Sequence, residues 1–404
     1  MDTDARLLRL RDSMQRDLRG NVLPFWLGHV LDERVGFHGL VAEDGRADEA
    51  APMGGVLCAR LLWTFSAAYR RTGDPVHRRA ADHFRSWLTG RFLDERYGGI
   101  YWMLDHAGRP ASERKQTYAL AFATYALAEH HLATGRPSSL DEALSLFRLI
   151  EERAADRVHG GYFEARARDW SALEDVRLSD KDLNAPKSMN THLHVMEAYA
   201  ALVRAGGGGA VRDRLRHVVG VHLDRIVDRS TGHLVLFFDE AFGPVSRGVS
   251  YGHDIEASWL LVEAAEEASD PELLDRARSA AVAMARVALA EGFDGERGGL
   301  FAERGEDGHL DDDKHWWMQA EAVVGFVSAF ELSRDPVFLD AAERTWAFVE
   351  RFVLDREHGE WRWRVRRDGS PVPGLPKVEP WKCPYHNSRA ALEVDARVGR
   401  LVAR

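Results

Sequence analysis

The sequence predicts an all-α fold: an (α/α)6 barrel of six inner and six outer helices, with short β-hairpin-like excursions between repeats. Two observations carry that prediction. A turn-rich segment opening with Asp recurs six times along the 404 residues, and two helical patterns separate each recurrence from the next. The segments open at Asp32, Asp94, Asp156, Asp228, Asp294 and Asp355, as in "LDERYGGIYWMLDHAGR" (93–109) and "FDGERGGLFAERGEDG" (293–308). Each sets a Gly and then aromatic or β-branched residues behind its Asp, the pattern of a short hairpin.

The elements follow in chain order. An N-terminal helix is expected over about 4–19. After the first excursion, 54–73 is apolar nearly all round and rich in Ala, so it belongs inside; 75–92 is amphipathic with many charges, so it faces water. The pair repeats at 115–135 and 140–154. Later inner helices are marked by "MNTHLHVMEAYAALV" from Met189, by "YGHDIEASWLLVEAAEEA" (251–268) and by "KHWWMQAEAVVGF" (314–326). A last inner helix is expected over about 385–402, which brings the count to twelve. An open solenoid needs polar capping repeats at its ends. The terminal helices carry no such pattern, so the ring is expected to close as one catalytic domain over 1–404.

Composition narrows the function. A net charge of −10 argues against nucleic acid, whose phosphates demand a basic surface. The apolar runs fall short of the roughly 20 residues of a membrane helix. The charged, amphipathic start is unlike a signal peptide, and Cys58 and Cys383 lie far apart, so reduced thiols in a cytoplasmic protein are expected. There is no G-x-x-x-x-G-K-[ST] and no G-x-G-x-x-G after a strand, which leaves nucleotide and nicotinamide chemistry unsupported.

Each excursion is followed, 22 to 38 residues after its Asp, by an unusual polar or aromatic residue. In a closed barrel such positions converge at one mouth. Asn190, His194 and Glu197, spaced i, i+4, i+7, share a helix face, whereas His192 points elsewhere and a metal site built from His192 and His194 is not expected. His253 and Glu256 share a face, a spacing that suits a carboxylate orienting an imidazole, while Asp254 lies off it. Of Trp316 and Trp317, adjacent on a helix, one is expected in the core and one in the pocket. Cys383 and His386 make a weak nucleophile pair without an oxyanion-hole motif. Several histidines, aromatic walls, an Arg and an Asn suit a sugar: rings stack on pyranose faces, and imidazoles near neutrality move protons.

The motifs "KSMNTHLHVMEAY", "SYGHDIEASWLL", "KHWWMQAEA" and "WKCPYHNSRAALE" resemble those of the cellobiose 2-epimerases, within the N-acylglucosamine 2-epimerase superfamily. The resemblance runs from "GGVLCARLLWTFSAAYR" to the last helix. It implies an (α/α)6 barrel and reversible epimerisation at C2 of the reducing-end glucose of β-1,4-linked disaccharides, cellobiose to glucosyl-mannose and lactose to epilactose, with no metal and no other cofactor. Carried over by motif, His253 and His386 are the acid/base pair, and His194 is a third imidazole acting at O1 and the ring oxygen. Arg60, Tyr118 and Asn190 hold O1–O3 and the enediolate, and Glu256 tunes a histidine. Trp316 and Trp381 are stacking platforms, and Trp381 with Asp182 serves the second sugar. Two departures, "LCAR" where the family has Asn before Ala-Arg and Cys383 where Gly is common, remove no catalytic group. The expected partner is a disaccharide, with no nucleic acid and no membrane, and the expected assembly a monomer or homodimer. The alternatives are a mannose 2-epimerase or mannose/glucose aldose–ketose isomerase of the same superfamily, a two-carboxylate glycoside hydrolase, and a sugar-binding protein.

Overall fold

The chain enters the fold on the outside. In the computed structural model, which describes residues 2–403, α1 (Thr3–Asp17) runs through a π-helical turn (Leu18–Val22) into the short α2 (Leu23–His29). Five helix pairs follow: α3 (Gly55–Thr72) with α4 (Pro75–Trp87), α5 (Thr117–Thr134) with α6 (Pro137–Arg153), and α7 (Met189–Arg204) with α8 (Gly209–Val221). Then come α9 (Tyr251–Ala268) with α10 (Pro271–Val287), α11 (Trp316–Ser333) with α12 (Pro336–Phe348), and finally α13 (Tyr385–Val402).

Local chemistry sets the turn within each pair. The inner helix ends on a left-handed residue, Gly73 after α3 and Gly135 after α5, which lets the chain reverse without Cβ strain. Asp74, Asp270 and Asp335 then cap the outer helix through their side chains, each followed by a Pro at the first helical position. The helix expected over 75–92 is therefore two pieces. Its α-helical part stops at Trp87, and a π-helical turn (Leu88–Phe92) redirects the chain into the excursion. The outer helix expected from 140 begins earlier, because Pro137 sits at its first turn.

Closure is explicit in the packing. The inner helices contact one another in the order α3, α5, α7, α9, α11, α13, and α13 returns to α3. On their outer sides lie α4, α6, α8, α10 and α12, while α1 covers α13, so the first and last helices form the sixth pair. Each excursion folds back on the strand that leads into the inner helix of its own pair. Met53–Gly54 pairs with Met103–Leu104, Lys115–Gln116 with Ala165–Arg166, and Lys187–Ser188 with Phe237–Phe238. Val249–Ser250 pairs with Glu303–Arg304, and Lys314–His315 with Arg364–Val365. The sixth pairing is a single bridge, Val41 to Val378, between the two ends of the chain.

The repeated Asp does more than form a turn. In four repeats one oxygen caps the turn amides while the other holds a lysine buried in the following strand. These pairs are Asp94–Lys115 (2.9 Å), Asp156–Lys187 (2.7 Å), Asp294–Lys314 (2.9 Å) and Asp355–Lys377 (2.6 Å). They fasten these four segments at the end of the barrel where the inner helices begin. Among the described residues, no helix is long and apolar enough to cross a membrane.

Candidate active site

Because all six inner helices start at one end, their first turns and the strands before them frame a single opening. A cavity of about 430 Å3 lies there. All ten residues singled out in the sequence line it: Arg60, Tyr118, Asp182, Asn190, His194, His253, Glu256, Trp316, Trp381 and His386. The remaining wall includes Trp317, the neighbour of Trp316, and Trp363, His315 and the loop 178–181, which carried no role in the sequence reading.

The two neighbouring histidines of α7 separate as their spacing requires. His192 is saturated: Nδ1 bonds the Ser188 carbonyl at 2.7 Å and Nε2 accepts from the Tyr162 amide at 3.0 Å. Burial pushes it down to about 3, so it is a neutral internal cap. His194 turns inward and donates Nδ1–H to Glu197 at 2.9 Å, its ring against those of Tyr118 and Phe122. Burial lowers its affinity for a second proton, working against Glu197.

Beneath the cavity floor lies an ionic cluster. Arg389, fully buried, donates Nη2 to Glu256 at 2.5 Å and to Glu321 at 2.7 Å, and Nη1 to Glu197. Glu197 also accepts from Tyr385 at 2.5 Å. Burial would raise its carboxyl, but Arg389, His194 and Tyr385 outweigh that and hold it down at about 2. Glu321 takes Trp259 Nε1–H at 3.0 Å and His386 Nδ1 at 2.7 Å. Since Glu321 is accepting from all these neighbours, His386 carries its proton on Nδ1 and presents the Nε2 lone pair. Burial holds that imidazole well below its ordinary value.

Here the structure corrects one expectation. Glu256 does not orient His253; it pairs with Arg389 and lies 3.9 Å from His386 Nδ1. The partner of His253 Nδ1 is the Ser250 hydroxyl at 2.7 Å. A hydroxyl supplies no charge to offset burial, which pushes His253 down to about 4. The helix spacing was right, but Arg389 is a stronger attractor for a buried carboxylate than a neutral ring.

The aromatic expectation also changes. Trp316 is buried against Trp363, and yet both it and the half-buried Trp317 line the cavity. Trp317 stands between the two catalytic candidates, its ring 4.8 Å from that of His253 and 5.5 Å from that of His386. Gly252 makes room for it: a Cβ there would come within 2.7 Å of the indole. Across the cavity, Trp381 leans on Tyr118 and Trp102.

The polar groups are poised for a ligand. Arg60 donates to the Tyr118 hydroxyl at 2.8 Å and lies over the rings of Phe122 and Tyr385. Burial works against its charge, but Tyr118, Cys383 and Tyr385 more than offset it, so the guanidinium stays cationic. Arg60 Nε, Asn190 Oδ1 and Trp316 Nε1 are buried atoms with no hydrogen-bond partner. Such groups cost about 1–3 kcal/mol each until something pairs with them. Asp182 folds the rim loop by accepting from the Ser179 amide at 2.9 Å, and burial pushes its carboxyl up. Cys383 is buried behind Arg60, whose Nη1 lies 3.7 Å from its sulfur; it does not line the cavity.

One grouping has metal-ligand character: donor atoms of Glu256, Glu321 and His386 lie within 4.8 Å of one another. The Arg389 guanidinium already donates to both carboxylates, and the His386 nitrogen already contacts Glu321. The donor set is therefore matched to an internal cation. Two signals could have exposed the cluster earlier. Glu321 and Arg389 are ionisable residues in otherwise buried inner helices, where a charge is kept only with a partner.

The family model described as N-acylglucosamine 2-epimerase (GlcNAc 2-epimerase) matches residues 36–390. The cellobiose 2-epimerase of Bacteroides fragilis is 40% identical over 386 residues, covering 95% of this chain and 98% of its own. That of Dictyoglomus turgidum is 36% identical over 390 residues, covering 96% and 99%. Among solved structures, the cellobiose 2-epimerase of Spirochaeta thermophila superposes with a TM-score of 0.90 at 39% identity, covering 98% of each chain.

Proposed function

This chain belongs to the N-acylglucosamine 2-epimerase family, and we propose that it acts as a cellobiose 2-epimerase on the reducing-end glucose of β-1,4-linked disaccharides. One observation carries the assignment of its chemistry. Three imidazoles meet in one cavity, each with Nδ1 tied to the protein, so that Nε2 is the nitrogen left to face a sugar.

The reaction begins with ring opening. His194, beside Tyr118 and Arg60, moves a proton between O1 and the ring oxygen. The resulting C1 carbonyl acidifies C2–H. One of His253 and His386 removes that proton, and Arg60, Tyr118 and Asn190 hold O1–O3 and the cis-enediolate. Donors placed at such an oxyanion contribute roughly 3–4 kcal/mol each. Rotation about C2–C3 then offers the other face to the second imidazole, which returns a proton. Trp317, in contact with both rings, separates the two bases.

Trp316 and Trp381 supply flat apolar faces for the pyranose, and Asp182 with Trp381 sits at the rim where the second sugar would lie. Lactose fits the same description and would give epilactose. No divalent cation is called for: Arg389 already supplies the positive charge among Glu197, Glu256 and Glu321.

The test is incubation of EDTA-treated protein with cellobiose in D2O, read by NMR. Glucosyl-mannose deuterated at C2 is the expected product. No reaction with cellobiose, but deuterated mannose or fructose from a glucose control, would move the protein to the monosaccharide alternative.

A further inference from the structure

The two candidate bases differ at the rear of the ring. His386 Nδ1 faces Glu321 and, beyond it, Arg389, both at 1% side-chain exposure or less. Neither Glu321 nor Arg389 lines the first cavity or the one beside it. His253 Nδ1 faces Ser250 Oγ, and Ser250 lines a second cavity of about 370 Å3. This chamber adjoins the first cavity, sharing Asn190, His253, Trp317 and Asp182 with it, and adds Ser250, Glu303 and Asp311, which do not line the first. Its rim reaches the surface at the exposed residues Lys181, Leu183 and Glu303. At about 30 Å3 per liquid water it has room for on the order of ten molecules, with polar partners to hold them.

We propose that Ser250 is a positioning residue that gives His253, and not His386, a rear proton route to solvent while the sugar fills the first cavity. The hydroxyl is donor and acceptor at once. When His253 takes the C2 proton on Nε2, its Nδ1 proton passes to Ser250 Oγ and the serine proton passes to water in the chamber. When His253 delivers a proton from Nε2, the chain runs backward, and water re-protonates Nδ1 through the serine. The ring thus changes tautomer and carries no lasting charge. His386 has no such exit: its Nδ1 proton stays on Glu321's side, and it works as imidazole and imidazolium, resetting its Nε2 proton with water in the first cavity once the product has left. This rests on the proposal that both rings act at C2.

The experiment uses an isosteric pair, S250T and S250V, and a ring-opened, non-epimerisable disaccharide alditol (cellobiitol) to fill the first cavity. With the alditol bound, 15N-detected NMR of the histidine rings should show His253 Nδ1 in fast exchange with water and populating both tautomers. His386 should hold a slowly exchanging Nδ1–H. S250T should keep the His253 behaviour, and S250V should lock its tautomer and slow its exchange to that of His386. On cellobiose, kcat should fall about tenfold or more in S250V, with KM within about twofold, and recover in S250T. Exchange at His253 as slow as at His386 in the unaltered protein would overturn the relay, and so would S250V behaving like S250T. Because the exchange measurement needs no turnover, absence of cellobiose conversion would remove the functional reading alone.

Discussion

His253 and His386 flank the same tryptophan and open on the same cavity, yet they are held by opposite means. His386 rests on Glu321 inside an ionic cluster at the barrel axis, where Arg389 gathers carboxylates from α7, α9 and α11. His253 rests on one serine hydroxyl at the edge of a second cavity. The difference teaches that equivalent places in a repeat need not be equivalent in electrostatics. A base backed by a carboxylate can bear a positive charge during the reaction, whereas a base backed by a hydroxyl must shift its proton.

The sharpest way to probe that contrast is to remove each ring. His386→Ala and His253→Ala should each lower kcat by about 10²–10⁴-fold, with unchanged circular dichroism. Near-normal turnover in either would remove that residue from the chemistry. Next in size, Arg389→Met should destabilise the protein by roughly 3–5 kcal/mol, because three buried carboxylates lose their counter-charge. Denaturant unfolding measures it, and a loss below about 1 kcal/mol would show that the cluster does not depend on Arg389 for its charge balance.

In pH dependence the two sides agree, because burial depresses both imidazoles. His253 is depressed to about 4, so it stays neutral and able to accept a proton well below the usual histidine range. The sign is that of a lowered folded value: the unfolded chain binds the proton more readily. Its contribution to stability is therefore complete above about pH 6.5 and is lost as pH falls toward 4. The acid limb of kcat/KM should likewise extend below pH 6; a midpoint near 6.5 would contradict the depressed value.

The smallest effect is expected at His192, which touches no substrate. Its loss in His192→Ala leaves the Tyr162 amide unpaired, at about 1–3 kcal/mol, with kcat retained. His192→Gln should recover much of that, because Gln319 already accepts from the Leu300 amide at 2.7 Å in the corresponding place of another repeat. Thermal melts of the two variants decide it.

The repeat, the inner and outer helices and the convergence of nine of the ten lining residues were legible because they depend on local periodicity; Asp182, in a loop, came only from the family resemblance. A helix declares its buried face every three or four residues, and a turn declares itself through Asp and Gly. Even the division of labour between His192 and His194 follows from two residues of helical rotation. The sequence determined, then, which residues reach the mouth of the barrel. Which of them pair there was decided only by closure. Arg389 meets Glu256 across 133 residues and Glu321 across 68, and α1 covers α13 from the opposite end of the chain. Those choices follow from distance in a low-dielectric interior, where a buried carboxylate goes to the strongest cation within reach. That is why Glu256 left its sequence neighbour His253 to a serine.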